Sequence, residues 1–125
     1  VLAQQVVQTS LGGTQSVDEL LLPGGRIYEQ REFIYKAMNE IPGISAVKPK
    51  AAFYIFPKID TAMYNIHDDE QFVLDFLKQE KVMLVHGRGF NWKDPDHFRI
   101  VYMPRVDELA QIQEKMTRFL SKYRQ

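Results

Sequence analysis

The sequence contains no cysteine. That excludes a disulfide framework, a thiolate nucleophile and a Cys-ligated zinc, and it fits a reducing compartment. Net charge is missing too, because 16 basic residues balance 16 acidic ones over 125 residues. A chain with no field of one sign has no long-range pull on nucleic acid or on an anionic membrane. No stretch approaches the roughly 20 apolar residues of a membrane span, and no signal peptide is visible. Internal repeats and low-complexity tracts are likewise absent. What remains is ordinary globular material, 45% hydrophobic and 26% charged, enough for one domain with a modest core. The chain opens at Val1, inside what reads as a helix, and not at a methionine. A piece of a longer protein is therefore expected.

Periodicity and turn residues divide the chain. Leu2, Val6 and Val7 among polar residues suit a helix over residues 1–11, stopped by Gly12-Gly13. Ser16 and Glu19 have capping-box spacing, which predicts a short helical turn through Leu20-Leu21-Leu22. Pro23-Gly24-Gly25 breaks the chain, and the domain boundary is placed there: residues 1–23 as tail and crossing segment, residues 24–125 as the domain proper. Ile27, Ile34, Met38 and Ile41 predict a helix from Arg26 to Glu40, ended by Pro42-Gly43. Short strands are predicted over Ile44–Val47, Ala52–Phe56, Val82–Val85 and Phe98–Tyr102. In Ala52–Phe56 both alternating faces are apolar, which predicts a strand covered on both sides. Asp68-Asp69-Glu70 caps a helix carrying Phe72, Val73, Phe76 and Leu77. Residues 86–97 read as an irregular loop. After Pro104 and Asp107, the spacing of Leu109, Ile112, Met116, Phe119, Leu120 and Tyr123 predicts a last helix. Three main helices and about four short strands in mixed order give an α+β fold, a short, mostly antiparallel sheet covered by helices in two layers.

Few residues offer chemistry. Ser45-Ala46-Val47-Lys48 matches Ser-x-x-Lys, but the motif needs a helix to bring serine and lysine onto one face. Here Pro49 follows and disfavours helix, so the match reads as coincidence. His67-Asp68-Asp69-Glu70 lacks the spacing of a zinc or calcium site and reads as helix capping. Gly87-Arg88-Gly89-Phe90 follows a strand but does not lead into a helix, as a phosphate cradle must. With Trp92 it either walls a small-ligand pocket or is plain surface loop. Arg99, inside an apolar strand, either faces solvent or grips a carboxylate with its planar fork.

The order of several short segments adds to this. Gly24 to Arg31, Pro42-Gly43, Lys50 to Pro57, Val82 to Trp92 and His97 to Tyr102 together resemble the C-terminal portion of class I/II aminotransferases of fold type I. In kind they are nearest the bacterial alanine (glutamate–pyruvate) aminotransferases. The resemblance implies a homodimeric enzyme dependent on pyridoxal 5'-phosphate. Such an enzyme moves an amino group between an amino acid, alanine or glutamate, and a 2-oxo acid. It implies that Arg99 binds the substrate carboxylate, that the strand Ala52-Phe53-Tyr54 approaches the substrate, with Ala52 and Phe53 as site residues, and that the loop Gly87 to Phe90 belongs to the pocket wall, with Gly89 and Phe90 as site residues. The family's cofactor ligands and catalytic lysine lie upstream, so this chain supplies no catalytic, cofactor or metal residue and should be inactive alone. A cytoplasmic enzyme is implied, without nucleic acid or membrane partners, and docked on its large domain. Two other roles keep the same residues: a free-standing α+β module that binds amino acids or assembles subunits, and an aminotransferase-like domain of a regulator or carbon–sulfur lyase.

Overall fold

Residues 1–125 are all described by a computed structural model. Burial starts at Gly25, and every residue before it is exposed. The expected single N-terminal helix is two, α1 (Leu2–Gln5) and α2 (Val7–Gly12), and neither has a buried residue. The short turn α3 spans Asp18–Leu21. The predicted capping box does not form, since Val17 holds the cap position and no side chain caps it. Ser16 stands one residue too early to serve.

The Gly24-Gly25 break works as steric reasoning requires. Gly24 has a φ of +90°, and a Cβ on Gly25 would collide with the backbone carbonyls of Glu19 and Leu20. The chain then enters α4 (Arg26–Glu40), which buries Ile27, Gln30, Ile34, Ala37 and Met38. Pro42-Gly43 ends this helix with Gly43 at a φ of +73°. The hydroxyl of Tyr64 donates to the Pro42 carbonyl and pins the turn.

Two small antiparallel sheets follow. β1 (Ile44–Ser45) pairs with β3 (Lys58–Ile59), a strand that two residues are too few to announce by periodicity. β2 (Tyr54–Ile55) and β4 (Val85–His86) flank the central strand β5 (Phe98–Val101). A bridge between Lys58 and His97 joins the two sheets. The predicted strands are shorter than expected. The reading of Val82–Val85 as a strand is corrected: Val82–Leu84 is irregular, Met83 is 77% exposed, and pairing starts only at Val85. The Ala52–Phe56 reading as a strand covered on both sides is also corrected. Ala52 takes a φ of +58° in a turn, and only Tyr54–Ile55 pairs.

The reason is that helices cover one sheet face only. Ile55, Phe98 and Ile100 point into the core, whereas Tyr54 and Val101 on the other face are 39% and 38% exposed. The core is completed by α5 (Thr61–Tyr64), α6 (Asp69–Glu80) and α7 (Val106–Leu120). Helix α6 begins as the sequence predicts, with the Asp68 side chain accepting from the Glu70 and Gln71 N–H groups. It ends at Lys81 in the left-handed conformation. Helix α7 packs on α4 and α6 through Leu109, Met116, Phe119 and Leu120. Gln30 ties α4 to the β5–α7 link by donating to the carbonyls of Met103, at 2.7 Å, and Pro104.

Candidate carboxylate-binding site

Arg99 sits on the sheet face that no helix covers, opposite Val85 in the ladder. Its guanidinium carbon lies 4.2 Å from the centre of the Phe90 ring and 4.7 Å from that of Tyr54. Both distances are those of cation–π contacts. Arg99 forms no ion pair within the chain, and its Nε is buried without any hydrogen-bond acceptor. A desolvated guanidinium N–H without an acceptor is costly and rare. The arrangement can do one thing well, which is to receive a planar anion on an oriented fork.

Of the remaining predicted residues, Phe90 alone lies on the Arg99 guanidinium. Phe53 packs its ring on Tyr54, centroids 4.8 Å apart, and so adjoins the Arg99 stack. Ala52 is placed by a different partner: the Tyr102 hydroxyl donates to its carbonyl at 3.0 Å, and the Tyr102 N–H donates to that of Phe53. Gly89 lies against the imidazole of His86, which a Cβ would approach to 3.2 Å. The face is open, with Phe53, Tyr54, Phe90 and Val101 all exposed. Tyr54, which the resemblance puts in the strand approaching the substrate, is one of the two rings on Arg99.

The segment carrying Phe90 is more regular than its sequence suggests. Gly87–Phe90 forms a 3-10 turn closed by Asn91 in the left-handed conformation. Gly87 has no room for a side chain, because a Cβ would lie 2.7 Å from the His97 carbonyl oxygen that its own N–H bonds. Beyond the turn, Asp96 accepts from Trp92 Nε1 at 2.8 Å and meets His97 Nδ1 at 2.7 Å. The His97 ring stacks on Phe56.

On the other side the turn is anchored to α6. Asp69 is nearly fully buried, and Arg88 donates to it from the backbone N–H, at 2.8 Å, and from Nε. Arg88 Nη2 reaches Asp68 at 2.6 Å. The sequence pointed to Asp69 only as an acidic first-turn residue; its partner 19 positions away could not be read. Burial pushes the Asp69 carboxyl upward, but the bonds and charge of Arg88 outweigh it, and the group is held below the usual aspartate range. A depressed folded-state value gives stability that is present above the unfolded value near ~3.9. That stability is lost as pH falls through the lower folded value. Urea midpoints measured from pH 6 downward should therefore fall more gently for Asp69→Asn than for wild type. Parallel acid limbs would show that the carboxylate contributes nothing.

No lysine of this chain is placed to hold pyridoxal phosphate as an imine. A lysine that forms an imine with a carbonyl is activated by desolvation or by a neighbouring cation. Every lysine here is exposed except Lys115, which is half-buried and donates to the Glu80 carbonyl at 2.9 Å. Lys48 of the Ser-x-x-Lys match pairs with Glu32 at 2.7 Å, while Ser45 lies in β1. The Gly87–Phe90 turn offers no phosphate cradle either, because the Gly87 and Arg88 N–H groups are already bonded. No helix is long and apolar enough to cross a membrane.

Known proteins show where such a chain occurs. No protein-family profile matches it. It is 58% identical over 125 residues to the glutamate–pyruvate aminotransferase AlaA of Escherichia coli, covering all of this chain and 31% of that protein. It is 50% identical to the alanine aminotransferase of Mycobacterium tuberculosis over the same 125 residues, 29% of that protein. A crystal structure of an Escherichia coli aminotransferase superposes with a TM-score of 0.93 at 58% identity, covering 100% of this chain and 31% of the other. The chain thus spans about 30% of the length of the curated relatives it matches. The matched part is their C-terminal domain, helices with small antiparallel sheets, as here. In sequence along its full length, and in backbone, the chain belongs to the fold type I aminotransferases as their C-terminal small domain.

Proposed function

We propose that this chain provides the substrate-carboxylate grip of an aminotransferase that exchanges an amino group between alanine or glutamate and a 2-oxo acid. The observation that carries the reading is Arg99: a guanidinium stacked on Phe90 and Tyr54, with a buried Nε and no anion from its own chain. Amino acid and 2-oxo acid share one feature, the α-carboxylate, and a single arginine fork serves both halves of such an exchange. A fixed fork also removes rotational freedom from the substrate, which is where positioning lowers a barrier. Phe53 and Phe90 would shape the wall beside it, with Ala52 and Gly89 flanking.

The chemistry of amino transfer comes from pyridoxal phosphate when that cofactor is bound, held by residues outside this chain. Residues 24–125 are taken as the small domain, and residues 1–23, with no buried side chain among them, as the crossing from the large domain. A cytoplasmic homodimer is the proposed assembly. The test is the full-length protein with L-alanine and 2-oxoglutarate, followed by release of pyruvate and glutamate. Steady pyruvate formation is expected. If neither this pair nor the reverse pair reacts, the assignment to alanine and glutamate fails.

A further inference from the structure

Phe90 can lie on Arg99 only while the 3-10 turn keeps its orientation; one side of the turn is held by the Gly87 N–H on the His97 carbonyl, and the side chain that fixes the other comes from α6. Capping of α6 is performed by Asp68, whose carboxylate accepts from Glu70 and Gln71. Asp69 has no capping duty. Its two oxygens both go to Arg88, one to the backbone N–H and one to Nε. Its side chain is 2% exposed, against 43% for Arg88, so the buried partner is the fixed end. A buried carboxylate that loses its cation is strongly penalised, which enforces the pair. In a turn of three residues, side chains two positions apart diverge by roughly 120°. With Arg88 drawn toward α6, Phe90 is turned away from it, onto Arg99 at 4.2 Å.

We propose that Asp69 is a positioning residue for the carboxylate site, acting on Arg99 through Arg88 and Phe90. The proposal rests on the reading of Arg99 as the carboxylate grip. Asp69 touches no substrate. It fixes the turn, the turn fixes the Phe90 ring, and the ring limits the planes the guanidinium can adopt. Loss of the anchor should loosen carboxylate binding and leave turnover of bound substrate nearly intact.

The test uses the full-length enzyme and propionate, an alanine analogue without the amino group, as a competitive inhibitor. Asp69→Asn and Phe90→Ala should each weaken propionate inhibition about fivefold to tenfold, and Asp69→Asn should change kcat less than about twofold. The double variant should be no weaker than the worse single one, because both changes break the same chain of contacts. Arg88→Met, at a largely exposed side chain, should copy Asp69→Asn and carries the test if the buried substitution prevents folding. Unchanged propionate inhibition in Asp69→Asn and Arg88→Met overturns the proposal, as do additive effects in the double variant, or a fall in Tm with inhibition intact. Arg99→Ala, run beside them, separates the two layers. If it weakens inhibition while the anchor variants do not, only the positioning role is lost; if it too has no effect, the carboxylate reading itself fails.

Discussion

Replacing Arg99 by alanine in the full-length protein should lower kcat/KM for the amino donor by about one to two decades. The estimate follows from losing charge-assisted hydrogen bonds worth roughly 1.5–3 kcal/mol, with misorientation of the substrate adding to it. Three features of the structure motivate this expectation. The fork has no competing carboxylate in the chain, its Nε is already stripped of water, and two aromatic rings hold its plane. Arg99→Lys should recover little, since an ammonium is a point charge that neither stacks nor donates two parallel bonds. Cofactor occupancy should be unaffected in both variants, because Arg99 is proposed to hold the substrate carboxylate and not the cofactor. Steady-state kinetics for alanine and glutamate, with the visible absorbance of the enzyme as control, decide the matter. Near wild-type kcat/KM in both variants would reduce Arg99 to a strand residue stacked on two rings.

Truncation of Phe72 to alanine is expected to be among the most damaging changes to the fold. The ring is 1% exposed and lies 5.8 Å from Phe98, 6.1 Å from Phe119 and 5.7 Å from Tyr123, centre to centre. It therefore joins α6 to the central strand and to α7 at one point. Removing a buried phenyl ring costs about 3–5 kcal/mol, transfer and cavity terms together. A domain of this length has roughly 6–19 kcal/mol in total at typical stability per residue. The loss should appear as a large fall in the urea midpoint at unchanged slope. Leu74→Ala, two residues along the same helix but 40% exposed, should stay within about 0.5 kcal/mol. Equal shifts for the two variants would mean that α6 does not pack through the face seen here.

The helices α4, α6 and α7 were written into the sequence, because a 3.6-residue spacing of apolar groups and a cap or Gly-Pro stop are local signals. Ile27, Ile34 and Met38 before Pro42-Gly43, and Asp68 ahead of Phe72 and Phe76, needed no tertiary knowledge to be placed. The likeness of the ordered segments to aminotransferases was legible in the same way. Strands of two residues have no period to read, so β3 was missed and three others were drawn too long. Which sheet face is covered was not decidable either: Tyr54, Ile55, Ile100 and Val101 are all apolar or aromatic, and only the docking of the helices on one side left Tyr54 and Val101 exposed. The residue pattern alone favoured a solvated face for Arg99 and the resemblance favoured a carboxylate; only the fold sets it opposite Val85, with Tyr54 and Phe90 on its guanidinium. Asp69 looked like a second capping acid until the fold brought Arg88 to it across 19 residues. Backbone periodicity and capping depend on neighbours along the chain. Burial, ion pairing and stacking depend on neighbours in space, which for this protein only the packed domain supplies.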